Sequence, residues 1–172
     1  MLPPRNDIIR TVGLALAALA CLATSAPPPR PPRPFLAWQL EGADVRFGCL
    51  AARAWVSKSG REGVGVTIRL ENVSEVACVV AVTRATFSVG EMELGAVEAP
   101  PLLDENGAAV DGALAAHTVR FAYVAWSFDN SPAARAKPNG ELGAAFTVDG
   151  LAASLAARAH QGMVQRSEPY GR

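Results

Sequence analysis

Three cysteines are the residues with the clearest chemical options in this chain, and they stand at positions 21, 49 and 78. Cys49 and Cys78 each occupy the apolar side of an alternating segment, so both side chains are expected to point into a core. Two outcomes stay open for this pair: a disulfide, which an oxidising compartment would favour, or two buried thiols. A nucleophilic cysteine is not expected, because neither has a histidine nearby in sequence and an apolar setting raises the pKa of a thiol.

Cys21 lies within an apolar run, residues 11–23, that follows Arg5 and Arg10. A positive start, a short apolar centre and small residues at the cleavage point define a secretory signal. The run is about a dozen residues long, whereas a membrane-spanning helix needs about 20. Residues 1–26 are therefore predicted to be an export signal.

The sequence Ala18-Leu19-Ala20-Cys21 resembles a bacterial lipobox, with Ala18 in place of the usual leucine. The resemblance implies cleavage before Cys21 and attachment of lipid to that cysteine. Two alternatives remain, an uncleaved anchor and a small-x-small site at Thr24-Ser25-Ala26. The second leaves Pro27 after the cut, where the missing N–H and fixed backbone angle of proline fit poorly. We expect an exported protein of the periplasm or outer membrane, held at the membrane by an N-terminal lipid or anchor.

A second candidate site is the segment Trp126-Ser127-Phe128-Asp129-Asn130. Its two aromatic rings could stack on a sugar, and Asp129 and Asn130 could form hydrogen bonds with the sugar hydroxyls. In the competing interpretation, Trp126 and Phe128 end a core strand and the polar pair forms an Asx turn. That is the more common use of these residue types.

Potential metal ligands are scattered along the sequence. With the cysteines, a copper site could use His117, His160, Met92 and Met163. Neither histidine has another ligand beside it at a metal-binding spacing, so a metal site is not expected. Asp104, Asn106 and Asp111 resemble part of a calcium loop, but the glycine position and terminal glutamate of the EF-hand are missing, which favours a turn. No cofactor is predicted.

The sequence contains no recognised catalytic motif: G-x-S-x-G, H-E-x-x-H, the phosphate-binding loop and the dinucleotide fingerprint are all absent. Lys plus Arg is 16 and Asp plus Glu is 16, so the formal net charge is zero. Because nucleic acid favours a strongly basic surface, no nucleic-acid partner is expected. We therefore predict a protein that is not an enzyme.

The elements that must position these residues begin after a proline-rich spacer. Residues 27–34 read PPPRPPRP, a composition typical of polyproline II, and would extend about 25 Å at about 3.1 Å per residue. Residues 35–160 are then predicted to form one domain, and residues 161–172 a frayed tail.

Alternation of polar and apolar residues dominates the predicted domain. Val64, Val66, Ile68 and Leu70 form the clearest inward side of a strand. Further strands are predicted in residues 44–49, 76–82, 86–89, 92–97, 119–128 and 146–148. The pairs Gly90-Glu91 and Asp149-Gly150 predict hairpin turns. About seven to nine short strands at this spacing predict an all-β antiparallel sandwich.

One segment is ambiguous. Residues 151–159 read LAASLAARA, and alanine and leucine favour helix. The Asp149-Gly150 turn directly before them favours a strand that folds back on its predecessor. We predict a strand.

Residues 66–74, a strand that ends in the turn Asn72-Val73-Ser74 before a valine-rich strand, resemble immunoglobulin-like accessory domains of bacterial envelope proteins. Leu103-Asp104-Glu105-Asn106-Gly107, ahead of a strand at Val119, is similar to a later turn of those domains. The resemblance covers about residues 35–159 and implies an immunoglobulin-like sandwich. Such domains share no catalytic residues, so it implies no site.

Three functional hypotheses follow. The preferred one is a non-catalytic envelope lipoprotein whose sandwich binds or positions another envelope component, either a protein or a polysaccharide. The second is a carbohydrate- or peptidoglycan-binding module that uses the Trp126 to Asn130 end of the sandwich. The third is a periplasmic metal-handling protein that uses the histidines, methionines and cysteines.

The lipobox generates the first testable prediction. The mature protein should begin at Cys21 and partition into detergent, and Cys21→Ser should leave an uncleaved or soluble form. Mass spectrometry of protein from the native host checks this. An unmodified start at Pro27 or Met1 would contradict lipidation.

Overall fold

The computed structural model of the protein describes residues 35–60, 62–128 and 137–164. These residues form strands and connecting turns, and they include no helix with the length and apolar character to span a membrane. In chain order the strands are β1 (Phe35–Glu41), β2 (Asp44–Phe47), β3 (Leu50–Ser59), β4 (Gly63–Asn72), β5 (Cys78–Val89), β6 (Met92–Glu98), β7 (Leu102–Leu103), β8 (Ala109–Val110), β9 (Ala113–Leu114), β10 (Val119–Ser127), β11 (Asn139–Val148) and β12 (Leu151–Val164).

The strands form two antiparallel sheets. Sheet A has the order β1-β12-β11-β5-β6, with β9 also paired to β5. Sheet B has the order β2-β3-β4-β10-β7-β8. The predicted all-β antiparallel sandwich is confirmed, with more strands than the seven to nine expected because three of the twelve have only two residues.

Strand alternation explains how the sheets pack on each other. Val64, Val66, Ile68 and Leu70 of β4 are all buried, as their period of two predicts. β3 was not among the predicted strands, although it follows the same rule with Leu50, Ala52 and Ala54 inward. Its small apolar residues give a weak strand signal, because alanine has low strand propensity.

The ambiguous segment is a strand. β12 pairs with β11 over residues 151–160 and with β1 over residues 158–164, where Phe35 lies opposite Val164. Two partner strands outweigh the helix propensity of its alanines, because each pairs the backbone groups that a helix would pair internally. Residues 161–164 were expected in the tail and instead belong to β12, since β1 supplies their partner.

Turn residues set the hairpins. Gly90-Glu91 and Asp149-Gly150 are two-residue turns, and in the second both residues have positive φ, 50° and 79°, as a type I′ turn requires. The expected strand over residues 44–49 was too long. It ends at Phe47, because Gly48 has a φ of 57° and forms a turn with Cys49.

An aromatic cluster lies between the two sheets, near the ends of β5 and β10. Phe87 of sheet A contacts Trp126 of sheet B, with ring centroids 5.4 Å apart, and Trp38 edge-on at 5.5 Å. The indole N–H of Trp126 donates a hydrogen bond to the carbonyl oxygen of Gly95 in β6, at 3.0 Å. Around this cluster most buried residues are alanine, valine or leucine.

Asn72 closes one end of the sandwich. Its side chain is fully buried, and its amide donates to the carbonyl oxygens of Val76, Leu114 and Ala115 at 2.8, 3.1 and 3.2 Å. Its Oδ1 accepts the backbone N–H and the hydroxyl of Ser74 at 2.9 and 2.8 Å. One side chain therefore joins the turn after β4 to the β9–β10 connection.

Asn72→Ala should lower the free energy of unfolding by about 2–4 kcal/mol, because it leaves buried carbonyl groups and an N–H without partners. The matched control is Asn139→Ala at an exposed position, where we expect a change within about 0.5 kcal/mol. Urea denaturation of the two variants measures both values. Equal stabilities would show that the Asn72 network does not hold this end together.

Candidate functional site

The predicted sugar site at the end of β10 is not formed as proposed. Trp126 and Phe128 have exposed fractions of 6% and 1%, so their rings face the core and offer no stacking surface. The competing interpretation, in which Trp126 and Phe128 belong to the core at the end of a strand, matches the structure. Asp129 and Asn130 lie outside the described residues.

The candidate metal ligands lie on three different parts of the fold. His117, in the turn before β10, has Nε2 3.2 Å from a carboxylate oxygen of Glu75. His160, in β12, has Nδ1 3.7 Å from a carboxylate oxygen of Glu41. Met92 begins β6, and Met163 is exposed near the end of β12. The structure does not bring these candidates together at one point.

The acidic residues of the predicted turn cap backbone groups. Asp104 Oδ1 accepts the N–H groups of Asn106 and Ala108, both at 2.9 Å. The hydrogen bond from Ala108 is the largest cause that lowers the pKa of Asp104. Asp111 Oδ1 accepts the N–H of Ala113 at 3.2 Å. These contacts match the preferred interpretation of the segment as a turn.

Cys49 and Cys78 are joined in a disulfide, with their Cα atoms 6.7 Å apart. The bond links the β2–β3 turn of sheet B to the start of β5 in sheet A. The N–H of Val73 donates to the carbonyl oxygen of Cys49 at 2.8 Å, so the disulfide and the Asn72 turn reinforce the same end. A carboxylate oxygen of Asp149 lies within 4.8 Å of both sulfur atoms, and its Oδ1 accepts the N–H of Val79 at 2.8 Å. Cys21 lies outside the described residues.

The outer side of sheet B carries an aromatic row that is not apparent from the sequence pattern. Trp55 of β3 lies opposite Thr67 of β4, and Thr67 lies opposite Tyr123 of β10. Adjacent strands are about 4.8 Å apart, which places the Trp55 and Tyr123 backbones about 10 Å apart on one side of the sheet. Trp55 is 38% exposed and Tyr123 is 45% exposed.

Two glycines shape the surface beside this row. A Cβ at Gly65 would lie 2.5 Å from Tyr123 Oη and 3.2 Å from Cβ of Lys58. The phenol ring of Tyr123 therefore reaches across β4 over Gly65, in space that a side chain would fill. Gly63 lies against the backbone carbonyl of Trp126 and has no room for a Cβ.

The ring of Tyr123 borders a cleft of about 450 Å³, which we call the Tyr123 cleft. Six of the residues that line it are Lys58, Glu62, Gly63, Gly65, Tyr123 and Ser127. The carbonyl oxygen of Glu62 accepts the N–H of Phe128 at 2.8 Å and the hydroxyl of Ser127 at 3.2 Å, which holds the β3–β4 loop against β10. The cleft thus has an aromatic wall, a glycine floor and charged groups of both signs.

A second groove, of about 640 Å³, separates β1 of sheet A from β3 of sheet B. Trp55 and Lys58 line it from one side and Trp38 from the other. The backbone N–H of Trp38 donates across it to Ser59 Oγ at 3.0 Å. Trp55 therefore stands between the groove and the Tyr123 side of the sheet.

The other half of the outer side of sheet B is charged. Arg53 Nε lies 3.6 Å from a carboxylate oxygen of Asp44, and Arg69 Nη1 lies 2.6 Å from one of Glu71. Both pairs are exposed or half-buried, and such pairs stabilise a fold little. The outer side of sheet B therefore has one aromatic half and one charged half.

No protein-family model matches the sequence, and no curated protein matches it. Among solved structures, the chain is similar to the X-ray structure of a Northeast Structural Genomics Consortium target, SoR45, with a TM-score of 0.29 and 9% sequence identity. That match covers 81% of this chain and 91% of the other chain. A similarity at this level carries no argument about function.

The disulfide closes a loop with a sequence separation of 29 residues, which the chain-entropy relation converts to about 3–4 kcal/mol of stabilisation. Reduction should therefore lower the free energy of unfolding by about that amount, and Cys49→Ala and Cys78→Ala should each give the same loss. Urea denaturation with and without reductant measures it. Thiol titration of the unfolded, unreduced protein is the control, and reaction of Cys49 and Cys78 would contradict the bond.

Proposed function

We propose that this protein is a non-catalytic component of the bacterial cell envelope, exported and lipid-anchored through Cys21, whose sandwich binds another envelope component. The observation that carries the proposal is the exposed pair Trp55 and Tyr123 on the outer side of sheet B. Large aromatic side chains in this position contribute nothing to the core and are enriched at binding surfaces. The fold does not require exposed rings at these two positions, so we assign them a role in binding.

Several polar side chains hold turns in place, which favours a protein that presents a binding surface over one that catalyses a reaction. Asn72, Asp104 and Asp149 each accept hydrogen bonds from backbone N–H groups at the ends of strands. These contacts fix turns in both sheets, and pairing of β4 with β3 and with β10 makes the outer side of sheet B one continuous surface. A rigid, pre-formed surface lowers the entropy that binding must overcome.

The proposed export and lipid anchoring are supported by two features. Residues 1–26 have the pattern of an export signal with a lipobox-like end at Cys21. The Cys49–Cys78 disulfide is of the kind that forms and persists outside the cytoplasm. The positions of His117, His160, Met92 and Met163 do not favour the metal-handling alternative, because these residues are divided among the turn before β10, β6 and β12.

Co-sedimentation with envelope material tests the proposal. Detergent-solubilised protein, with Cys21→Ser in every form tested so that no lipid inserts into membranes, would be incubated with washed membranes and cell walls from a host strain that lacks it. We expect the wild type to sediment and the double variant Trp55→Ala/Tyr123→Ala to bind at least about tenfold more weakly, as loss of aromatic anchors predicts. The matched control is Leu151→Ala, because Leu151 is an exposed apolar residue in the β11–β12 hairpin.

Two results would contradict the proposal. Wild-type protein that stays in the supernatant would show that the envelope holds no binding partner. Equal sedimentation of the wild type and the double variant would show that the outer side of sheet B is not the binding surface.

A further inference from the structure

We propose that the Tyr123 cleft binds a sugar ring of an envelope polysaccharide, with the ring stacked on the phenol of Tyr123. The inference rests on the proposed function, since it names the ligand class for the same surface. The lining of the cleft includes Trp126 and Ser127 of the segment predicted to bind sugar, but the exposed ring is that of Tyr123, since the rings of Trp126 and Phe128 are buried.

The aromatic geometry is the first argument. A pyranose ring has one apolar side of C–H groups that packs on an aromatic ring, whose quadrupole attracts such positively polarised edges. Tyr123 is 45% exposed as a residue, and Gly65 leaves the space that its ring occupies over β4. Trp55, about 10 Å away in the same row, lets an extended chain of sugars contact a second ring.

The polar groups are the second argument. The ammonium group of Lys58 donates hydrogen bonds and the carboxylate of Glu62 accepts them, and both residues line the cleft. Sugar hydroxyls act as donors and as acceptors, so they complement a site with both kinds of group. The opposite charges of Lys58 and Glu62 suit a ligand without strong net charge. The volume of about 450 Å³ falls in the range of pre-formed small-ligand sites.

The position of the cleft on the face of a sheet, away from its edge, is the third argument. An extended peptide usually binds at a sheet edge, where unpaired backbone groups accept a new strand. Beneath the cleft, β4 is paired with β3 on one side and with β10 on the other. Recognition there depends on side chains, and those that line the cleft include an aromatic ring, two charged residues and a serine. These features fit a sugar better than a peptide backbone.

Binding to defined glycans tests the inference. The probes are peptidoglycan sacculi stripped of attached protein, the soluble oligosaccharides released from them and the isolated envelope polysaccharides of the native host. Co-sedimentation and titration calorimetry would measure affinity for the detergent-solubilised full protein. We expect at least one of these glycans to bind.

Three variants at the cleft separate the roles of ring, hydroxyl and floor. Tyr123→Ala should weaken glycan binding by at least about tenfold, because it removes the stacking surface. Tyr123→Phe keeps the ring and should stay within about threefold of wild type. Gly65→Ala should also weaken binding, because its methyl group displaces the Tyr123 ring. Met92→Ala, at an exposed position on β6 of the other sheet, is the matched control and should change nothing.

The outcomes distinguish this inference from the proposed function. If no glycan binds but envelope sedimentation still requires Trp55 and Tyr123, the sugar proposal is wrong and the partner is a protein or lipid. If a glycan binds equally well to Tyr123→Ala, the cleft is not the sugar site. If neither glycan nor envelope material binds, both proposals are wrong.

Discussion

The hydrogen bond from the indole N–H of Trp126 to the carbonyl oxygen of Gly95 constrains which side of β10 faces the core. The acceptor belongs to β6 of the opposite sheet, so the bond is made only when Trp126 points inward. Strand alternation then places Tyr123, three residues earlier, on the outer side. The alternation of β10 therefore decides both which of its residues enter the core and which face the binding surface.

The two sheets must also stay in one position relative to each other. Contacts at the end of the sandwich that holds Asn72 keep them there. The buried amide joins the turn after β4 to the β9–β10 connection, and the disulfide joins the β2–β3 turn to β5. Alanine and valine fill much of the core, and such small side chains bury little area each. Cross-links at the end compensate for this.

Much of this architecture could be predicted from alternation and turn residues, as the inward side of β4 and the Asp149-Gly150 hairpin demonstrate. The aromatic row could not, because both alternating sides of β10 are apolar and its parity is ambiguous in the sequence. Trp55 also lies in β3, whose alanines gave no strand signal. Its approach to Tyr123 depends on the register of three strands, a long-range property that no local pattern contains.

Fluorescence quenching of the three tryptophans tests the central claim, that Trp126 supports the core while Trp55 faces solvent. Trp38 and Trp126 have exposed fractions of 3% and 6%, against 38% for Trp55. Acrylamide should therefore quench Trp55 preferentially, and Trp55→Phe should leave a blue-shifted emission that acrylamide quenches far less. If the quenchable emission instead persists in Trp55→Phe and disappears in Trp126→Phe, the parity of β10 is reversed and the proposed surface does not exist.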